Sequence, residues 1–135
     1  MKFNDATIVD CFKSPQPVIL LRADAPNFTI LAYNNAYKEA TYTHFRDITG
    51  WYLWEAFNPN FAGGDGAAIL IEALDTALST KNRLSTKVFQ YNIPLDNSGH
   101  MAECWWQIEI LPVENVSGEI TQLLIKTNKV DLAAE

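Results

Sequence analysis

Residues 101–112, MAECWWQIEILP, decide how the rest of the chain is read. Cys104, Trp106, Ile108 and Ile110 fall on one side of an extended segment. Glu103, Gln107 and Glu109 fall on the other, with Trp105 and Leu111. Period-two alternation of this kind marks a strand with one face in a core and the other partly wet. A strand of this length is expected in the middle of a sheet, not at its border. The inward set is expected to face a core or a ligand pocket.

The flanking segments extend this sheet. Residues 86–93, TKVFQYNI, read as a strand with Phe89, Tyr91 and Ile93 on one face, joined to the long strand by a hairpin loop over 94–100. Residues 114–118 form a turn, and 119–127, EITQLLIKT, form the last strand. Near the start, 18–22 (VILLR) and 28–33 (FTILAY) make a hairpin around the turn residues Pro26 and Asn27. Between these groups lie helical segments. Asn34-Asn35 caps a short helix over 36–43. Leu70, Ala73, Leu74, Ala77 and Leu78 recur at helical spacing, with Asp65 as the expected cap. Residues 61–66, FAGGDG, read as a flexible loop. Residues 5–13 form a helix with Ile8, Cys11 and Phe12 on one face, too short to stand undocked. Hairpin-length loops within each strand group and helices collected between the groups predict α+β with antiparallel pairing.

The composition narrows the function. One domain accommodates 135 residues, and 48% hydrophobic residues with 12% aromatics supply its core. The net charge of -6, without a Lys/Arg cluster, disfavours nucleic acid and an anionic membrane surface. Cys11 and Cys104 are too few for a disulfide framework and form no CxxC motif. There is no apolar run of membrane-spanning length and no signal-peptide pattern, so a cytoplasmic location is expected. No P-loop, dinucleotide fingerprint or nucleophile–histidine motif is present, and no catalytic or metal-ligating set emerges.

The ordered stretches VILLRADAPNFTILAYNNAYKEAT, ITGWYLWEAF and WWQIEILPVENVSGEITQLLIK resemble a PAS domain, the sensory module of bacterial signalling proteins. The resemblance covers about residues 15–128. Its components are the opening hairpin with an Asn-containing entry into the next helix, a G-x-x-x-x-E-x-F run at Gly50–Glu55–Phe57, and two long closing strands. It implies a five-stranded antiparallel sheet in order 2-1-5-4-3 with short helices on one face. It divides the chain into a flanking helix (1–14), the domain proper (15–128) and a tail (129–135) toward an output segment. The family's closing Asp-x-Thr is replaced by Asp131-Leu132-Ala133.

The resemblance implies a non-catalytic sensor that binds a small molecule or partner, forms a homodimer and regulates a linked effector, a histidine kinase in a two-component system. The pocket candidates are Tyr33, Asn34, Tyr37, Trp51, Trp54, Phe57, Leu70, Leu74, Cys104, Trp106, Ile108 and Leu123. The dimer or signal-helix candidates are Ile8, Cys11, Phe12 and Trp105. Against this stands the plainer reading: a filled aromatic core, with Asn34 as a helix cap and Cys104 as a small buried hydrophobe. The ligand is unknown. Flavin is expected to be disfavoured because residues 57–61, FNPNF, lack the cysteine that light-oxygen-voltage photochemistry uses. Haem is expected to be disfavoured because residues 66–80 hold no histidine. Two alternatives remain: a cone-shaped α+β small-molecule binder or enzyme, and a module used only for dimerisation.

Overall fold

The computed structural model describes residues 5–131. Helix α1 (Asp5–Lys13) precedes the hairpin β1 (Val18–Arg22) and β2 (Ile30–Tyr33). Helices α2 (Asn35–Ala40), α3 (Leu53–Ala56) and α4 (Gly66–Thr80) follow, with 3-10 turns at Thr43–Phe45 and Pro59–Phe61. The chain then forms β3 (Leu84–Ser85), β4 (Phe89–Gln90), β5 (Ile93–Pro94), β6 (Met101–Ala102), β7 (Trp105–Glu114) and β8 (Ile120–Val130). The main sheet runs β2-β1-β8-β7-β3, with β4 also paired to β7. With β3 and β4 counted as one interrupted strand, this is the expected order 2-1-5-4-3.

β7 is hydrogen-bonded on both flanks, to β8 along its length and to β3 and β4 on the other side. Trp106, Ile108 and Ile110 turn inward and are buried. Their face meets Leu74 and Ala77 of α4, Tyr37 of α2 and Leu53 of α3 in one core. The opposite face carries a smaller cluster: Val18, Leu20, Leu111, Val113 and Leu124, covered by Ile8, Cys11 and Phe12 of α1. Leu111 sits on the face expected to be partly wet, yet it is buried because α1 shields it.

Three local readings need correction. The strand expected over 86–93 is broken into pieces. Thr86 causes the first break: its Oγ1 accepts from Ile108 N at 3.2 Å while its carbonyl accepts from Gln107 Nε2 at 3.3 Å, so side chains replace part of the ladder. The segment over 101–112 is also divided, because Met101–Ala102 pairs with Ile93–Pro94 in a separate ribbon while the main ladder begins at Trp105. The last strand continues past residue 127 to Val130.

The glycines of 61–66 do more than loosen a loop. A Cβ at Gly66 would lie 1.6 Å from the Gln90 carbonyl oxygen, so the start of α4 touches β4 backbone where no side chain fits. Gly63 and Gly64 take positive φ angles of 81° and 53° leading into that contact. Asp65 occupies the cap position of α4, but its side chain makes no capping hydrogen bond. This close approach seats α4 over the inner face of the sheet.

Candidate functional site

Between the sheet's inner face and the helices lies a cavity of about 60 Å³. Its floor comes from alternate strand positions: Ile19 on β1, Phe89 on β4, Trp106 and Ile108 on β7, Ile125 and Thr127 on β8. Tyr37 and Thr41, Leu53, Phe57 and Leu70 close it from the helical side, and Tyr91 and Ile93 from the end. No Asp, Glu, Lys, Arg or His borders it. A volume of this size exceeds what one water requires, and apolar walls favour an apolar occupant.

Hydrogen bonds at the walls hold the chamber's shape. Tyr91 Oη donates to the Phe57 carbonyl at 2.7 Å, and Trp106 Nε1 donates to the Tyr91 carbonyl at 2.8 Å. Thr41 Oγ1 donates to the Tyr37 carbonyl at 2.6 Å. The Tyr37 ring meets Phe57 edge-on at 6.3 Å. Burial pushes the Tyr37 phenol well above its ordinary range, reinforced by the neighbouring Tyr91, and burial does the same to Tyr91. Both phenols therefore stay protonated at physiological pH.

The structure brings Tyr37, Phe57, Leu70, Trp106 and Ile108 together around the cavity, as five of the sequence candidates. The others do not border it. Leu74, Leu123 and Cys104 are buried in the surrounding core. Burial raises the Cys104 thiol's pKa, with Lys129 acting in the opposite sense. Asn34 is a structural joint: Oδ1 accepts from Val18 N at 3.0 Å and Tyr37 N at 2.9 Å, while Nδ2 donates to the Gln16 carbonyl at 2.8 Å. Trp54 Nε1 donates to the Pro26 carbonyl at 2.7 Å, and Trp51 is exposed.

Tyr33 belongs to a separate polar depression with Lys38, His44, Arg46, Asp47 and Thr49. There Tyr33 Oη donates to Asp47 at 2.7 Å. Thr49 N–H, then its hydroxyl, then Tyr33 hold the Asp47 carboxyl down to about 2.

Sequence reasoning missed Ile19, Leu53, Tyr91, Ile125, Thr41 and Thr127 as lining residues, along with Phe89 and Ile93. Alternation could have supplied several of them. Leu123, Ile125 and Thr127 share a face of β8, as Phe89, Tyr91 and Ile93 share the expected strand face. Thr41 had no such signal, because its place depends on where α2 ends.

On the outer face, Ile8, Cys11 and Phe12 pack as one group on the sheet, but Trp105 does not join them. It lies six residues before Leu111 on β7, roughly 20 Å away at strand rise, and pairs with Val130 and Gln90.

The strand order and the helical cover define an α+β cup around an apolar chamber. The family model described as PAS fold matches residues 12–128, and the chain belongs to that family. Among solved structures, the Rhodobacter sphaeroides light-oxygen-voltage protein is similar over 97% of this chain and 70% of its own, with TM-score 0.69 and 12% identity. A sensory box sensor histidine kinase from Vibrio cholerae matches 94% of this chain and 90% of its own, with TM-score 0.57 and 16% identity. An RNA-binding light-oxygen-voltage receptor matches at TM-score 0.65 and 15% identity; this chain covers 93% of itself but only 32% of that receptor's length. No curated protein matches the chain.

The family match sets aside the cone-shaped alternative. The comparison also corrects the expectation that flavin is disfavoured. Several similar structures are light-oxygen-voltage domains, one of them described in a flavin-analogue study of their mechanism. The cysteine missing from residues 57–61 bears on adduct chemistry, which is a different matter from holding the ring.

Among the described residues, no His/Cys/Asp/Glu group is arranged to hold a metal. No helix there is long and apolar enough to cross a membrane.

Proposed function

We propose that this chain is a non-catalytic sensing module. A small molecule held in the inner chamber biases the sheet and α1, and α1 passes the change to a linked effector of the histidine kinase kind, within a homodimer. The observation that carries this reading is the apolar cavity bordered by α2, α3, α4 and four strands of the main sheet. An occupant touching all of these elements can favour one arrangement over another by its differential affinity. α1 is placed to respond, since Val18 and Leu20 beneath it belong to the strand that contributes Ile19 to the chamber floor. Drosophila melanogaster Cycle PAS-B, described with bound ethylene glycol, offers an analogy for a small occupant in this fold; it is 14% identical.

Filling the chamber tests the reading. In Leu70→Trp the added indole should occupy it. Methylenecyclopentane should raise the thermal midpoint of the wild type and leave that of the variant unmoved. Equal responses would remove the chamber from the account, and no response in either would favour a pure assembly module. The exposed Val9 on α1 addresses the dimer: Val9→Asp should weaken self-association in analytical ultracentrifugation, and an unchanged dimer would refute that role for the helix.

A further inference from the structure

We infer that the chamber takes a neutral, mostly apolar molecule carrying a hydrogen-bond acceptor, of the ketone or ester class, and that Tyr37 Oη donates to that acceptor. This rests on the proposed ligand-sensing role of the same cavity.

Tyr37 is 6% exposed. Its N–H donates to Asn34 Oδ1, and its carbonyl accepts from Thr41 Oγ1. Its hydroxyl makes no hydrogen bond among the described residues. The neighbouring hydroxyls differ. Tyr91 commits its proton to the Phe57 carbonyl, and Thr41 commits its own to Tyr37.

Among the described residues, the buried side-chain polar atom that is both closed off and unpaired is Arg46 Nε, outside the chamber. Tyr37 Oη therefore keeps some open surface, and the chamber is the space that Tyr37 borders. Thr127 repeats the pattern. It is 5% exposed and borders the same cavity, and its Oγ1 has no partner among the described residues.

A hydroxyl that is open to the chamber and unpaired within the protein can donate to an occupant, so a molecule that supplies an acceptor gains about one net hydrogen bond over one that does not. The same walls reject charge. With no ionisable cation among the lining residues, a carboxylate or phosphate would be buried unpaired. The phenol is held protonated by burial, so it acts as a donor throughout the physiological pH range.

The test uses a matched pair of probes, cyclopentanone and methylenecyclopentane, alike in shape and differing in the acceptor. Affinities are measured by NMR titration for the wild type, Tyr37→Phe and Thr127→Val. Removing the Tyr37 hydroxyl should weaken the ketone about tenfold, the size of one net hydrogen bond. It should leave the hydrocarbon nearly unchanged. Thr127→Val should have the smaller effect.

The infrared carbonyl band of bound cyclopentanone gives a readout in the wild type alone. It should lie below its position in hydrocarbon solvent. A ketone affinity indifferent to Tyr37→Phe, or an unshifted band, overturns the inference while leaving the chamber as a ligand site. If neither probe binds the wild type, both the inference and the proposed function fall.

Discussion

The two faces of the sheet are built from the same strands but are covered to different depths. On the inner face, Ile19, Leu21, Leu123, Ile125, Ile108 and Ile110 meet three helices in a deep core that leaves a chamber. On the outer face, Val18, Leu20, Leu111, Val113 and Leu124 are covered by one nine-residue helix with half-buried contacts. A nine-residue helix has little stability of its own and stays in place through that packing. The thick side can hold a ligand in a defined shape. The thin side has less apolar packing to lose on displacement. Asn34 joins the two, binding the Gln16 carbonyl after α1, the β1 backbone at Val18 and the α2 backbone at Tyr37.

Truncation should expose the contrast most strongly. Leu123→Ala, at a fully buried inner position, should cost about 2–5 kcal/mol in denaturant unfolding. Phe12→Ala on the half-buried outer side should cost about 1 kcal/mol. Equal losses would deny the difference in depth.

Asn34→Ala comes next. It leaves the Val18 and Tyr37 amides without their acceptor and should cost about 2–3 kcal/mol. Unlike either single-face truncation, it should disturb amide signals on both α1 and α2.

Cysteine labelling sharpens the comparison without changing stability. Cys104 is 2% exposed and its thiol is raised by burial, whereas Cys11 is half-buried on α1. Cys11 should alkylate faster, and methylenecyclopentane should slow Cys104 while changing the Cys11 rate as α1 responds.

The smallest effect concerns Asp47, at the margin of both regions. Its folded pKa of about 2 lies below the ordinary 3.8, so its contribution to stability is present above the ordinary value and fades as pH falls toward about 2. Asp47→Asn should flatten the acid side of the thermal-midpoint profile, and an unchanged profile would assign the acid loss elsewhere.

Much of this division was legible in the residues. Alternation in CWWQIEI placed Trp106, Ile108 and Ile110 inward, and helical spacing placed Leu74 and Ala77 against them. The outer face was harder to read. Leu111 looks half-wet until α1 covers it, which requires knowing where a separate helix docks. The chamber was partly legible. Tyr37, Phe57 and Leu70 follow from aromatic and helical patterns, but a lining residue differs from an equally apolar core residue, such as Leu123, only by where packing falls short. Gly66 shows the same limit: its need for glycine comes from Gln90, a residue far along the chain, and leaves no local trace.

Methyl-resolved NMR during titration with methylenecyclopentane reads whether the chamber is where a small molecule binds. Shifts are expected to be largest at Ile19, Leu70, Ile108 and Ile125, which line the chamber, with smaller shifts at Leu20 and Val113 beneath α1 that follow the same titration curve. Shifts confined to the outer set, or none at saturation of the probe's solubility, would contradict it.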